Sequence, residues 1–596
     1  MNDVIFNKQQ GGLGRALPGS DYLSAMLFYS GTLPSGFTTT YNKKQIFAVS
    51  DAENLGIKAD YNDETQATAT YLITTKGNTA DSVTLSVTEP TITGTPVAVS
   101  LGTYTVGSAD TSIALQGAAW AAVINAGTLT HGYSAAFTTA TLTVTARKGL
   151  GMALNSSSFS LSVSAAAAGS IVTSAIAAAG TGYAVNDTFT INTGTTLATG
   201  KVLTVTSGAV ATYSILTAGA GYATASGVAT TATTGVGTGL TLNITAVAPT
   251  FAGTPTAFAG GVYSKQAVWH YHIAEYFRIQ PQGNLWLGFY PVPGSYTYAE
   301  LQDLQSYAQG SIRQALVYND VARTAANVLS DCTALQAVNA TLESLHMPMS
   351  VVYAANIAAI SDLSTLGNLA TLTANKVSVC IAQDGGGTGA LLFLTSGISI
   401  TTGGALLGAV ALAAVSEDIA WTAKFNISNG VECDTIALAN GKLLSDPTVT
   451  TNLLNQLDLY RYIFLKSFVD FTGSYFNDSH CAIAQSSDYA YIENNRTIDK
   501  AIRVGRLALL PALNGPIKFN ADGTLTNITI ADFAGRLSTA ASAMILAGEI
   551  SDDGITIDPS QKALTTSSIY ITFQIIPNGV ARNIIVNIGY TTSIAS

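Results

Sequence analysis

NNRTIDKAIRVGRLALLPAL (Asn494–Leu513), TIADFAGRLSTAASAMILAGEI (Thr529–Ile550) and TIDPSQKALTTSSIYITFQIIPNGVARNIIVNIGYTTSI (Thr556–Ile594) follow one another in the C-terminal part of the chain and decide its reading. The first two have helical spacing. The third reads as strands, and within it IIVNIGY sets Ile584, Val586, Ile588 and Tyr590 on one face against Ile585, Asn587 and Gly589 on the other. An exposed edge strand this apolar aggregates unless it has a partner. Strand addition to a neighbouring sheet supplies main-chain hydrogen bonds and side-chain pockets that fix register. Pairing within its own domain satisfies the same pattern, and both readings stay open. Pro577–Gly579 would be the hinge ahead of it, and the loose apolar VIF (Val4, Ile5, Phe6) at the other end of the sequence is the reciprocal segment.

Working outward, 596 residues exceed what one hydrophobic core holds, so two to four domains are expected. The chain is 47% hydrophobic and 10% charged, against about 25% charged in ordinary soluble domains. A surface so poor in charge suits a protein buried among copies of itself, although secreted β-proteins share it. The net charge of −10 argues against wrapping nucleic acid. MNDVIFNKQQ has no basic region leading into an apolar one, so no secretory signal is read. The apolar runs Gly403–Val415 and Ala165–Ala179 are too short for a membrane span. Cys332, Cys380, Cys433 and Cys481 form no C-x-x-C pair and read as reduced core thiols.

Residues 1–19 read as an arm, too glycine-rich over Gly11–Gly19 for helix. Between residues 59 and 264 there are 4 Lys/Arg and 7 Asp/Glu, and SVTLSVTEP (Ser82–Pro90), ATLTVTAR (Ala140–Arg147) and LTLNITAV (Leu240–Val247) alternate strictly. That is antiparallel β-structure, with one helix over Thr111–Gly127. SAIAAAGTGYA (Ser174–Ala184) recurs as SILTAGAGYA (Ser214–Ala223), a duplicated small β-unit. From Tyr263 on, strand-like runs alternate with helices: an aromatic-rich strand around Trp269–Phe277, helices at Tyr298–Gly310, Leu329–His346, Leu363–Thr373 and Ala405–Ser416, and strands at Arg313–Asn319, Met349–Ile357 and Lys376–Asp384. This alternation indicates an α/β layer.

The ordered series AVWHYHIAEYFRIQPQGNLW (Ala267–Trp286), SEDIAWTAKFNISNGVECDTIALANG (Ser416–Gly441) and the C-terminal stretch quoted first resembles contractile-tail sheath proteins, of the subgroup in Mu-like and Bacteroidetes-associated phages. The resemblance spans roughly 20–57 and 265–596. It implies an α+β and α/β multidomain chain: an N-terminal arm (1–19), a sheath core α/β domain (20–58 and 265–465), inserted antiparallel β subdomains (59–165 and 166–264), a C-terminal α/β inner sheath domain (466–582) and a C-terminal arm strand (583–596). It further implies stacked six-fold rings around an inner tube, arms that add strands to neighbouring copies, and contraction that drives the tube through a cell envelope. The expected partners are the chain itself, the tube protein, and the baseplate and tail terminator proteins. No nucleic acid, membrane insertion or cofactor is expected. The expected location is a virion tail assembled in the bacterial cytoplasm.

Arg496, Lys500, Arg503 and Arg506 recur at three- and four-residue spacing and form one helical stripe. A solvated face is the plain reading; a salt-sensitive contact with the tube or an adjacent subunit is the functional one, with Arg536 as a weaker member. His270 and His272, two apart on a strand, would share a face as a metal pair with Glu275, but aromatic packing is preferred. GGGTGALL (Gly385–Leu392) lacks the lysine of a phosphate loop. Glu417 and Asp418 are adjacent and make a poor acid–base couple, and Gly548–Pro559 lacks calcium-loop spacing. No catalytic site is read. The rivals are a secreted or virion-surface adhesin binding glycans, and a hydrolase, for which no G-x-S-x-G elbow is present.

Overall fold

The structure, a computed structural model, describes residues 21–164 and 168–590. It divides into two compact units: one holds the chain up to Asp60, Lys265–Phe393 and the chain from Gly397 on; the other holds Tyr61–Ser264 with Leu394–Ser396.

The first unit is built on a seven-stranded sheet. Leu23–Tyr29 (LSAMLFY) lies between Asn284–Tyr290 and Gln314–Ala322, parallel to both. Ser350–Asn356, Val377–Cys380 and Tyr462–Ile463 continue the parallel run, and Lys43–Ile46 closes the other edge antiparallel to Asn284–Tyr290. Such strands are covered on both faces, which is why they read as unbroken apolar runs rather than alternating ones. Ala25, Leu27 and Tyr29 enter a core with Leu301, Leu304, Val328, Cys332 and Leu335, from the helices Glu300–Tyr307 and Ala325–Ser344. Thr324 and Asn327 cap the longer helix reciprocally. On the opposite face Phe28 lies against Trp269 and Phe289, with ring centroids 6.1 and 5.3 Å away.

Trp269 belongs to a helix, Lys265–Ile279, and the strand expected there is corrected. Trp269, Tyr271, His272, Ile273, Tyr276 and Phe277 are all buried. A helix buried over most of its circumference shows little amphipathic period, and its aromatic content mimics strand propensity. It packs on a second buried helix, Gly403–Leu412, at backbone contact. A Cβ on Gly404 would sit 2.1 Å from the His272 carbonyl oxygen, and one on Gly408 2.9 Å from that of Tyr276. The helix expected at Leu363–Thr373 is also corrected: two single 3₁₀ turns, Leu363–Thr365 and Leu369–Thr371, start on the side chains of Asp362 and Asn368. Those side-chain bonds to the backbone compete with a continuous helix.

The second unit is β-rich with two cores. In the first, the sheet of Ala252–Pro255, Thr68–Thr75, Thr141–Thr145 and Ser134–Thr138, and that of Val97–Thr105, Ser82–Glu89 and Phe159–Ser164, share a core with helix Ile113–Ala126. Trp120 of that helix meets Tyr71 and Phe251 edge-on. In the second, six antiparallel strands between Ile171 and Val247 curl until the outer two approach, Ser174 Oγ lying 2.5 Å from Tyr213 Oη. The repeated glycine–tyrosine segments end two of these strands. Gly180 and Gly219 have φ of 66° and 61°, left-handed values, and turn Tyr183 and Tyr222 into the core.

Candidate assembly site

The C-terminal stretch forms helices Ile492–Leu509 and Asn527–Leu546 and an antiparallel hairpin of Ile550–Thr556 with Thr572–Pro577. Ala501, Ala541, Met544 and Ile550 close a small core with Val504, Phe573 and Ile575.

The basic stripe on Ile492–Leu509 turns largely inward. Arg496 is buried, and its guanidinium donates to the carbonyl oxygens of Ala413 and Ala414 at 3.2 Å and of Asp21 at 3.3 Å. Burial lowers its pKa to about 10. Lys500 donates to the Asp21 carboxylate at 2.7 Å and also to Glu549, while Arg503 donates to Asp21. Burial pushes the Asp21 carboxyl up, but Lys500 and Arg503 outweigh it and hold the group below its ordinary range. These three cations are therefore engaged within the chain, and Arg506 is the exposed member of the stripe. Arg536 pairs one turn away with Asp532 at 3.1 Å, in the open. Asp21 carried no sequence signal as their partner, being more than four hundred residues away.

After the hairpin the chain is held twice. Asn578 donates to the Gly548 carbonyl at 2.6 Å and accepts from Ser551 at 3.0 Å. Arg582 then reaches into three carboxylates: Glu493 at 2.6 Å, Asp478 at 3.0 Å and Asp418 at 3.2 Å. Its guanidinium lies 3.5 Å from the centroid of the Tyr491 ring, which Arg461 also faces at 4.7 Å. His480 adjoins the cluster, 3.9 Å from Asp478 and 3.0 Å from Asp458. Burial first, then Glu493 and Asp478, pushes Asp418 up to about 7. A lone Arg between PNGVA and NIIVNIG gave no warning of this cluster in the sequence.

Beyond Arg582 no hydrogen bond or ion pair to another described residue follows. Asn583–Tyr590 joins no sheet among the described residues, and every residue of it is exposed, Ile584 by 81% and Ile588 by 96%. The strand expected at Ile584, Ile585, Val586 and Ile588 thus has no ladder among the described residues. Val4, Ile5 and Phe6 lie outside the described residues.

The other candidate chemistries are accounted for within the chain. His270 and His272 sit two apart on a helix, where residues of that spacing do not share a face. His270 meets Glu53 at 3.1 Å, whereas His272 is fully buried, and desolvation pushes it down to about 3, so it is neutral. The glycine loop starts helix Thr388–Ser396, and its amides face carboxylates of the chain itself. Asp384 accepts from Gly386, Gly387, Gly389 and Cys433, and Glu432 from Thr388. These acids occupy the place a phosphate would take at a helix N-terminus. Glu417 pairs with Lys424, away from the Asp418 cluster. Asp552 and Asp553 lie on the hairpin strand Ile550–Thr556, and Asp558 accepts from Ser560. Among the described residues no group of three His, Cys, Asp or Glu could hold a metal ion, and no helix is long and apolar enough to cross a membrane. The four cysteines are buried and unpaired.

The chain belongs to the DUF2586 family: the family's N-terminal domain matches residues 1–480 and its C-terminal domain residues 488–595. No curated protein matches it. Among solved structures, it is similar to the helical sheath of the anti-feeding prophage in the contracted state, at 16% identity and a TM-score of 0.37 over 54% of this chain and 81% of that one. It is also similar to a chain of the six-fold symmetrised baseplate of the same prophage, at 14% identity and a TM-score of 0.36 over 54% and 80%.

Proposed function

We propose that this chain is the structural subunit of a contractile tail sheath, with no catalytic step. Copies polymerise as stacked six-fold rings around an inner tube, and contraction of the lattice drives the tube through a target envelope. Its partners are further copies, the tube protein, and the baseplate and terminator proteins of a virion tail.

One observation carries the reading. An alternating apolar segment, Asn583–Tyr590, leaves a root fixed by ionic contacts and has no ladder among the described residues. A segment of that composition in water is unstable as a free edge and is completed by an adjoining sheet. A subunit that donates a strand stays tied to its neighbour while the lattice rearranges. Lattice rearrangement stores and releases free energy with no nucleotide, consistent with Gly385–Gly389 being filled by Asp384 and Glu432.

The test is removal of residues 583–596 or 1–15. The full chain should form striated hollow cylinders by negative-stain electron microscopy, and both truncations should stay monomeric with unchanged circular dichroism. Truncated chains that still polymerise into cylinders refute the strand-donation mechanism, and a full-length monomer that binds glycans favours the adhesin.

A further inference from the structure

We infer that helix Ile492–Leu509 is a common anchor, gripping through Arg582 the root of the projecting segment and through Asp21 the root of the residues ahead of the first sheet strand. Its consequence for assembly rests on the sheath reading; the anchoring itself does not.

The geometry is specific. Glu493, in the first turn of the helix, holds Arg582 at 2.6 Å, and Tyr491, just before the helix, lies under the same guanidinium. Asp478 adds contacts at 3.0 Å to Nε from both carboxylate oxygens, and Asp418 one at 3.2 Å. Planar stacking with several carboxylates uses what a guanidinium offers and an ammonium does not. Further along the helix, Arg496 holds the Asp21 carbonyl, and Lys500 and Arg503, about two to three turns past Glu493, hold its carboxylate. Glu493 and Arg503 are ten residues apart, about 15 Å along a helix. Both roots are therefore fixed to one rigid element, and Asn583–Tyr590 leaves it from a defined point. Arg582 and Asp21 act as positioning residues.

The Arg582–Asn583 bond is itself a trypsin site, which gives a readout in the monomer independent of assembly. In the full chain at pH 8, cleavage there should be slower than in a synthetic peptide of residues 575–590 by about tenfold or more, the protection given by an opening free energy of about 1.4 kcal/mol. D478N/E493Q, which keeps Arg582, should be cut close to the peptide rate. Wild-type chain cut as fast as the peptide overturns the anchor. Should that double variant lose its circular dichroism, R582M answers through amide hydrogen exchange at residues 578–582: faster exchange supports the anchor, unchanged exchange overturns it. In assembly, R582M and D21N should each impair cylinder formation, and R582K should recover it only in part. If R582M and D21N assemble like wild type while deletion of 583–596 abolishes assembly, the anchor fails and the sheath reading stands. If the deletion also assembles, the strand-donation reading fails as well.

Discussion

Replacing Ile588 by alanine tests the donated strand at the most exposed aliphatic residue of its row. Ile588 is 96% exposed in the single chain and shares a row with Ile584 and Val586. Burying an aliphatic side chain of this size contributes about 1.5–3 kcal/mol, so the three together contribute about 4.5–9 kcal/mol. Main-chain hydrogen bonds add about 1 kcal/mol each. Ordering the seven residues Ile584–Tyr590 costs about 1–2 kcal/mol apiece. The terms nearly cancel, so one donated strand is marginal and works only as one contact among several per subunit. On the proposed reading, each subunit added to the lattice donates one such strand. Removing about 2 kcal/mol of burial from it should raise the critical concentration about 30-fold, at 1.4 kcal/mol per decade. Sedimentation of assembled protein against total concentration measures this directly. N587A, on the opposite row, should change it by less than about threefold. An I588A critical concentration within about threefold of wild type refutes strand donation through this row.

Two further substitutions probe the scaffold. G404A forces a methyl group into the His272 carbonyl and should destabilise the first unit by about 2–3 kcal/mol, seen as a lower unfolding midpoint; G535A, on an exposed helix face with nothing within 4 Å, should instead be neutral or stabilising by up to about 1 kcal/mol. Asp418 is neutral-favouring in the fold, its pKa raised to about 7 from 3.8, so its contribution is fully present below pH 4 and is lost as pH rises toward 7. D418N should therefore match wild type near pH 4 and exceed it at pH 8 by at least about 1.4 kcal/mol, one pKa unit's worth; an equal difference at both pH values in thermal melts contradicts this.

What the sequence discloses depends on how far away a residue's partner lies. The parallel core strand Ser350–Asn356 is legible because burial on both faces leaves a continuous apolar run. The Thr/Val alternation between residues 59 and 264 is legible because one face of each strand is wet. Lys265–Ile279 is illegible as a helix because its second face is covered by Gly403–Leu412, more than a hundred residues later, and only that contact explains both its aromatic content and the glycines opposite. The spacing of Arg496, Lys500 and Arg503 correctly places them on one helical face, but spacing cannot say whether a charged face meets water or a carboxylate. Asp21 and Arg582 are single ions in unremarkable surroundings, and their roles exist only once the chain is folded.

Glu493, the inward cations and the projecting segment belong to one mechanical argument. A strand donated to a neighbour transmits load only if its root resists being pulled from its own subunit. Asn578 alone would offer hydrogen bonds of about 1 kcal/mol, comparable with the marginal strand contact, so root and strand would part with similar ease. Arg582, meeting three carboxylates and stacked on Tyr491, makes the root the stronger link, since removing a partner from a largely buried ionic group leaves charges uncompensated. The same helix holds Asp21, so load applied at Arg582 passes along the hydrogen-bonded axis of Ile492–Leu509 to the start of the central sheet strand, Leu23–Tyr29, and need not be carried by side-chain packing in the sheet. The proposed lattice, with subunits moving as rigid bodies, requires such a path, and the inward turn of the basic stripe offers one.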